Sequence, residues 1–353
     1  MQYKKNPLVD DVVKLTLELL AVPSVSGDCD AVMELAEREL RDMGLAPRRT
    51  VKGAAIAEWR GADDERQRVV TAHLDTLGAV VHCIKDNGRL RLFPIGGYDW
   101  RNFEGENCTV HTLDGRQYRG TLLPDHAARH AFSHRPEITG EVHTMENVEV
   151  RLDELTDKRQ TTEELGIHAG DIVSFEPRSE LTPAGFLKSR FLDDKLCAAL
   201  LIVAVRELKR QGKTPPHTTH LYFSNYEEIG HGAPAIPPKA VEVAALDTGV
   251  VAESYASDEH AATILSRDKT MPYDRRTVRQ LKALAEAEDI PYRIDAYQNY
   301  GSDATACVRS GKDIRALCFG PALEATHNYE RTHLDSVDAS LKLLTAYLMS
   351  PLA

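Results

Sequence analysis

Three apolar runs in this sequence each end in acidic residues, and one of them also carries an imidazole near its end. Residues 68–75 read Arg-Val-Val-Thr-Ala-His-Leu-Asp, residues 221–228 read Leu-Tyr-Phe-Ser-Asn-Tyr-Glu-Glu, and residues 243–247 read Val-Ala-Ala-Leu-Asp. Each run has the length of a buried strand. Because open α/β sheets bind ligands at the carboxyl ends of their strands, we expect the three polar ends to meet in one crevice.

Helical patterns alternate with these strands. Apolar residues recur at helical spacing over residues 8–20, and further helices are predicted from about 29 to 43 and from 194 to 211. Strands that alternate with helices indicate an α/β fold, in which a mostly parallel sheet is flanked by helices on both faces.

A long segment after the first strand has a different pattern. Short β-prone runs there are separated by Asn-Gly, Gly-Gly and Asp-Gly pairs, which are typical of hairpin turns. A loop of this length is rarely structureless. We therefore predict a small β-rich domain at residues 80–181, inserted into a catalytic domain made of residues 1–79 and 182–353. The insertion would act as a lid over the crevice, as an oligomerisation arm, or as both.

Composition and charge exclude several classes of protein. The chain has 353 residues, of which 42% are hydrophobic and 27% charged, as in ordinary globular proteins. It shows neither a secretory signal nor an apolar run long enough to span a membrane, so we expect a cytoplasmic protein. Its formal charge of −11 disfavours nucleic acid as a partner. The six cysteines form no Cys-x-x-Cys pair, which argues against a zinc ribbon and, in a reducing compartment, against disulfides.

The polar residues at the strand ends are of the types that hold divalent metals. Carboxylates and imidazoles together favour a pair of hard or borderline cations, and this pattern predicts a two-metal hydrolase. Two further residues in polar contexts, one before a predicted helix and one in a late loop, complete the series. The candidate site residues are His73, Asp75, Asp193, Glu227, Glu228, Asp247 and His327.

The residue types and their positions alone leave some of these roles open. Asp193 precedes a helix, so it either caps that helix or bridges two cations with its two oxygens. Neighbouring side chains of an extended segment point in different directions, which allows one of Glu227 and Glu228 to bind metal while the other acts as general base. The carboxylate of Asp75 could orient the His73 imidazole. A second late imidazole, His333, competes with His327 for the last ligand position.

The motifs resemble those of a known family. Residues 71–78, 191–195, 226–233, 245–247 and 301–304 are similar, in that order, to the successive motifs of the M42 family of metallo-aminopeptidases. The resemblance covers almost the full chain. It implies a zinc-peptidase-like fold with an inserted β-rich dimerisation domain.

The same resemblance implies a role for each site residue. His73 and Asp247 would bind one metal, Glu228 and His327 the other, and Asp193 both. Glu227 would be the base and Asp75 would support the ligands from behind. A cis peptide bond after Asp193 is also implied. One departure is Lys195, which stands where the family commonly has arginine.

The implied activity is that of a cytoplasmic aminopeptidase with two divalent ions, zinc by ligand type, with cobalt or manganese as alternatives. One metal would polarise the scissile carbonyl while both share a hydroxide, and Glu227 would pass the water's proton to the leaving amine. Substrates would be peptides or dipeptide-like amides, and the assembly would be a homo-oligomer, from dimer to dodecamer.

One segment is similar to a particular branch of the M42 family. Residues 326–333 are similar to the corresponding segment of a branch associated with an N-acetylated glutaminylglutamine amide osmoprotectant. An M20-like amidohydrolase or deacylase that acts on an N-acylated dipeptide compound is the alternative.

Overall fold

The computed structural model describes residues 6–135 and 140–353, which separate into two compact units. The first unit contains the described residues up to Thr76 together with Pro177–Ala353, and the second contains the described residues of Leu77–Glu176. The structure divides the chain after Thr76 and after Glu176, whereas the sequence suggested divisions after residues 79 and 181. The first division comes earlier because a strand of the second unit already starts at Gly78. Residues 1–5 and 136–139, which belong to the predicted catalytic and inserted domains, lie outside the described residues.

Eight α-helices and one 3-10 helix, Trp100–Asn102, occur in the described part of the chain. Their bounds are α1 Pro7–Leu20, α2 Asp30–Asp42, α3 Arg129–Phe132, α4 Arg159–Glu163, α5 Leu192–Arg210, α6 Arg275–Ala287, α7 Asp303–Arg309 and α8 Leu334–Leu348. Helix α1 begins after Asn6, whose side-chain oxygen accepts the amide hydrogen of Leu8 (3.1 Å), with a proline in its first turn. The three helices predicted from the apolar spacing are confirmed within about two residues at each end. None of these helices is both long and apolar enough to cross a membrane.

Eighteen strands occur in the same residues. They are β1 Arg48–Arg49, β2 Ala55–Trp59, β3 Asp63–His73, β4 Gly78–Ile84, β5 Leu90–Ile95, β6 Asn107–His111, β7 Gln117–Pro124, β8 Val148–Leu152, β9 Ile172–Phe175, β10 Glu180–Leu181, β11 Phe186–Ser189, β12 His217–Ser224, β13 Ala240–Leu246, β14 Gly249–Val251, β15 Ala262–Arg267, β16 Tyr292–Ala296, β17 Arg315–Glu324 and β18 Glu330–His333.

The first unit is built on one mixed sheet. Its strand order is β1-β2-β12-β3-β13-β17-β18-β11-β10, with β14 and β15 also paired to β17 and β16 paired to β15. The central strands β12, β3, β13 and β17 are parallel, whereas β2, β18, β11 and β10 pair antiparallel with their neighbours. The α/β class is therefore confirmed, but the mostly parallel arrangement holds for the centre of the sheet and not for its edges. Several edge strands follow short connections, which allow only antiparallel pairing.

Helix α5 fixes the position of the crevice relative to the sheet. Almost every residue from Leu192 to Val205 is buried, because the helix is apolar on all sides and packs against α1, α8 and β3. Two acidic residues, Asp193 and Asp194, occupy its first turn, where the backbone is not yet helical. The packing of the helix therefore fixes the positions of the Asp193 and Asp194 carboxylates.

The second unit is a closed barrel. Its six strands follow the order β4-β5-β8-β7-β6-β9, and β9 pairs with β4 to complete the ring, with Val173 opposite Ala79. The interior is filled by buried aliphatic side chains such as Leu92, Val110 and Val150. The predicted β-rich segment is present, but its closure was not predictable because the closing pair joins residues almost a hundred positions apart.

Candidate metal centre

Three neighbouring parallel strands end at the same edge of the central sheet. Strand β3 ends at His73, which lies opposite Ser224 at the end of β12, and β13 runs alongside β3 on its other side. The residues that follow each strand therefore lie close together, as the sequence predicted. This edge of the sheet collects six of the seven candidate residues, and His327 approaches it from the loop between β17 and β18.

The orientation of the His73 ring is set by backbone atoms. Its Nδ1 lies 2.9 Å from the backbone oxygen of Asp75, which can only accept a hydrogen bond, so Nδ1 carries the proton. Its Nε2 lies 3.0 Å from Oδ1 of Asp193. In the neutral ring the lone pair of Nε2 would point at a carboxylate oxygen, and either a second proton on the ring or a cation bound to both atoms removes the repulsion between them. Burial alone would lower the pKa of His73, but the Asp193 carboxylate and other nearby acids raise it well above its ordinary value.

A third residue completes the ligand set around His73. One ligand atom from each of His73, Asp193 and Asp247 lies within 4.8 Å of the others, and all three residues are buried. Nitrogen and oxygen ligands that surround a single cation have this spacing. The three side chains form a first candidate position for a divalent ion.

Asp193 also faces a second group of ligands. Its other oxygen, Oδ2, lies 3.8 Å from Nε2 of His327, and the same His327 nitrogen lies 3.7 Å from Oε2 of Glu228. One carboxylate therefore faces an imidazole through each of its oxygens. This arrangement suits a residue that bridges two cations. The competing imidazole of His333 is engaged elsewhere, where its Nε2 donates to the backbone oxygen of Ala184 (3.0 Å).

Two supporting residues were missed by the sequence reasoning. The carboxylate of Glu330 accepts hydrogen bonds from the amides of Asp193 (3.1 Å) and His327 (3.0 Å), so it fixes the positions of these two residues relative to each other. The carboxylate of Asp194 accepts from the amide of His73 (3.1 Å). The peptide bond between Asp193 and Asp194 is cis, as the family resemblance implied.

The carboxylate of Asp75 was expected to orient the His73 imidazole, but its hydrogen bonds go mainly to other groups. Its carboxylate accepts hydrogen bonds from the Ser26 hydroxyl (2.5 Å) and from the amides of Glu227 (3.1 Å) and Glu228 (3.2 Å). The partner nearest to His73 Nδ1 is the backbone oxygen of Asp75, whereas the carboxylate is 3.6 Å away. Asp75 therefore fixes the adjacent glutamates more directly than it orients the imidazole.

The sequence of the chain matches a known protein family. A sequence model of the family described as M42 glutamyl aminopeptidase matches residues 53–343. The chain belongs to this M42 family. Its relatives include "Putative aminopeptidase YhfE" of Bacillus subtilis strain 168, which is 41% identical over 345 residues, 98% of this chain and 99% of that protein.

Solved structures of similar fold include two peptidases from Desulfurococcus kamchatkensis and Pyrococcus horikoshii. Aminopeptidase APDkam598 of Desulfurococcus kamchatkensis superposes with a TM-score of 0.85 at 20% identity, over 97% of this chain and 95% of that chain. The Pyrococcus horikoshii TET1 peptidase, described as able to assemble into a tetrahedron or a large octahedral shell, superposes with a TM-score of 0.83 at 22% identity. That match covers 96% of this chain and all of the other. Both likenesses establish the fold of this M42 family member.

The electrostatics of the M42 centre fit divalent cations. Burial, followed by the charge of Asp193, raises the pKa of Asp247 to about 7 and that of Glu330 to about 8. Burial also raises the pKa of Glu228 to about 7, and Asp193 and Asp75 add to this shift. So many carboxylates in one buried place repel each other unless positive charge is supplied. The residues present therefore suit two divalent ions, which would offset this repulsion.

The amine of Lys195 is bound to backbone oxygens and does not face the carboxylates of the centre as a counter-charge. Its amine donates hydrogen bonds to the backbone oxygens of Leu19 (3.0 Å) and Val22 (2.7 Å), at the end of helix α1. Burial lowers its pKa to about 7. Cations at the C-terminal end of a helix stabilise its dipole, so Lys195 has a structural partner there. These contacts engage the Lys195 amine within the protein, so it is not placed to pair with a substrate carboxylate.

Proposed function

We propose that the protein is an aminopeptidase that removes N-terminal residues from peptides or dipeptide-like amides at a centre of two divalent ions, with zinc as the natural metal. The observation that carries the proposal is the position of Asp193, with one oxygen 3.0 Å from the His73 ring and the other 3.8 Å from the His327 ring. Membership of the M42 family supports the aminopeptidase activity and does not favour the deacylase alternative.

Each residue of the centre has a task in this proposal. His73 and Asp247 would hold one ion, Glu228 and His327 would hold the other, and Asp193 would offer one oxygen to each. Bound ions would polarise the scissile carbonyl and lower the pKa of a water molecule, so that hydroxide is available as the nucleophile at neutral pH. Glu227, whose Oε2 lies 3.9 Å from His73 Nε2, takes a proton from the attacking water and passes it to the leaving amine.

The charge of the centre favours a free amino group over a substrate carboxylate. Asp193, Glu227, Glu228 and Asp247 place four carboxylates against two divalent cations, so the loaded site is close to neutral. A carboxylate of the substrate would require a lysine or arginine partner. The nearest motif lysine, Lys195, is bound to backbone oxygens of α1. A free N-terminal amine needs no such cationic partner.

A pair of matched substrates tests this preference. We expect a free dipeptide amide to be cleaved at least about tenfold faster than its N-acetylated form, since acetylation removes the positive charge. Both compounds are assayed at equal concentration on the zinc-loaded, cobalt-loaded and manganese-loaded protein. An N-acetylated glutaminylglutamine amide serves as the third substrate. Faster cleavage of the acetylated compounds would exclude the aminopeptidase and favour the deacylase.

We also propose that the chain forms a homo-oligomer through the barrel of residues 77–176. The support is the described assembly of the similarly folded Pyrococcus horikoshii peptidase, together with a barrel that has its own buried core. A shortened chain, in which a Gly-Ser linker joins Thr76 to Pro177, should be monomeric in light scattering, while the full chain is larger than a monomer. Retained metal content would show that the first unit is folded. A shortened and folded chain of unchanged oligomeric size would contradict this role of the barrel.

A further inference from the structure

A second group of metal-binding side chains lies outside the centre described above. It consists of His260, in the turn before β15, His333, at the end of β18, and Asp335, in the first turn of α8. One ligand atom from each of the three lies within 4.8 Å of the others. Nδ1 of His260 is 3.1 Å from Oδ2 of Asp335, and Nδ1 of His333 is 3.0 Å from the same oxygen. We propose that these residues bind a further divalent cation of the zinc class.

The hydrogen bonds of His333 leave its Nδ1 without a proton. Its Nε2 lies 3.0 Å from the backbone oxygen of Ala184, which can only accept, so Nε2 carries the proton. The amide of Asp335 lies 3.1 Å from Nδ1 and can only donate, so Nδ1 presents a lone pair. A carbonyl that holds the far nitrogen of an imidazole is the usual support of a metal-binding histidine.

This tautomer creates a contact between two acceptors. The lone pair of His333 Nδ1 and the carboxylate oxygen Oδ2 of Asp335 are 3.0 Å apart, and neither atom carries a proton for the other. The negative oxygen and the nitrogen lone pair repel each other at this distance. A cation bound to both atoms turns the repulsion into two coordination bonds, and in doing so it replaces the hydrogen bond from the Asp335 amide.

The spacing and the ligand types indicate which cation fits. Neighbouring ligands of a tetrahedral zinc ion lie about 3.4 Å apart when each bond is about 2.1 Å long. The observed separations of 3.0 and 3.1 Å therefore need to widen by only a few tenths of an ångström. Two imidazoles and one carboxylate favour zinc and its neighbours over calcium or magnesium, which prefer oxygen. Water fills the remaining position of the ion.

Packing holds the buried ring in place while the other ligands stay accessible. The Phe186 ring meets His333 edge-on, with centroids 4.9 Å apart. At Gly185 any side chain would come within 2.9 Å of His333 Nε2, so the backbone lies directly against the ring. The side chain of His333 is 4% exposed, whereas those of His260 and Asp335 are 51% and 39% exposed. A cation can enter from solvent and find one ligand already oriented.

A bound ion would fasten the His260 turn to the junction of β18 and α8. The amide of His333 already donates to the backbone oxygen of Glu259 in that turn (3.3 Å). Strand β18 begins at Glu330, which holds Asp193 and His327 of the first centre through their amides. The cation would thus stabilise the strand on which the catalytic loop depends, without contact with the reacting atoms. Its role is structural rather than catalytic.

Zinc stoichiometry tests this site independently of the first centre. Wild type, His260→Ala and Asp335→Asn are loaded with excess zinc, equilibrated at a buffered free zinc concentration, and analysed for zinc per chain. We expect each of the two variants to bind one ion fewer than wild type and to retain hydrolytic activity, because neither residue belongs to the first centre. The difference does not depend on how many ions the first centre holds.

A matched histidine provides the control. His217 lies beside a single carboxylate, with its Nδ1 3.2 Å from Oδ2 of Asp63, and within residues 6–135 and 140–353 it belongs to no group of three metal ligands. His217→Ala should bind as much zinc as wild type. Equal zinc contents in wild type and His260→Ala would overturn the proposal. An equal loss in His217→Ala would also overturn it, because the zinc would then be bound to surface histidines in general.

Discussion

Asp193→Asn should lose one bound ion per chain and about 10³-fold or more in turnover. The substitution keeps the size of the side chain, but one of its two oxygens becomes an NH2 group, which cannot bind a metal. Asp193 faces His73 with Oδ1 and His327 with Oδ2, so only one of the two positions keeps its ligand. A metal ion supplies several kcal/mol of transition-state stabilisation, and each 1.36 kcal/mol is a factor of about ten in rate.

The control for this variant removes another buried carboxylate. Asp295 is buried, and its Oδ2 accepts hydrogen bonds from the amide and the hydroxyl of Ser257. Asp295→Asn should keep the metal content and the turnover of wild type within about twofold, because it belongs to neither proposed metal position. Metal analysis and steady-state kinetics on the two variants are sufficient. If Asp193→Asn keeps its full metal content, Asp193 does not bridge.

Glu227→Gln should reduce turnover by about 10²- to 10⁴-fold while the metal content stays that of wild type. Glutamine keeps the shape of the side chain and removes the group that accepts the proton. The amide of Glu227 donates to Asp75 and would still do so in the variant, so the loop should keep its position.

The adjacent glutamate is the matched comparison. Glu228 has its Oε2 3.7 Å from Nε2 of His327, in keeping with a metal ligand, so Glu228→Gln should lose metal as well as activity. Glu227 and Glu228 lie side by side in the turn that follows β12, and not in an extended segment as the sequence suggested, so the two variants differ by one position. The reverse pattern, in which Glu227→Gln loses metal and Glu228→Gln does not, would exchange the two roles.

The sequence was sufficient to predict the edge of the sheet at which the candidate side chains meet. An imidazole and carboxylates at the ends of three apolar runs meet because β12, β3 and β13 are adjacent parallel strands. The apolar runs and the polar residues that end them are visible in the sequence, whereas the order of the three strands in the sheet is a feature of the structure. The α/β class and the β-rich character of the inserted segment follow from equally local patterns.

Long-range contacts were not predictable in the same way. Glu330 holds Asp193 from 137 positions away in the sequence, and no local pattern distinguishes it from other acidic residues. The engagement of Lys195 with the end of α1 also depends on how two helices pack. The antiparallel edges of the sheet and the closure of the barrel depend on pairings between distant segments. Each of these features is set by tertiary packing and not by residue type.

Anomalous diffraction from zinc-loaded crystals tests the central claim most directly. We expect two zinc peaks about 3.5–4 Å apart at the edge of the central sheet, each within bonding distance of a different oxygen of Asp193. A peak beside His260 and His333 would bear only on the separate structural site. A single peak at the sheet edge, or two peaks of which only one is bonded to Asp193, would contradict the bridged two-metal centre.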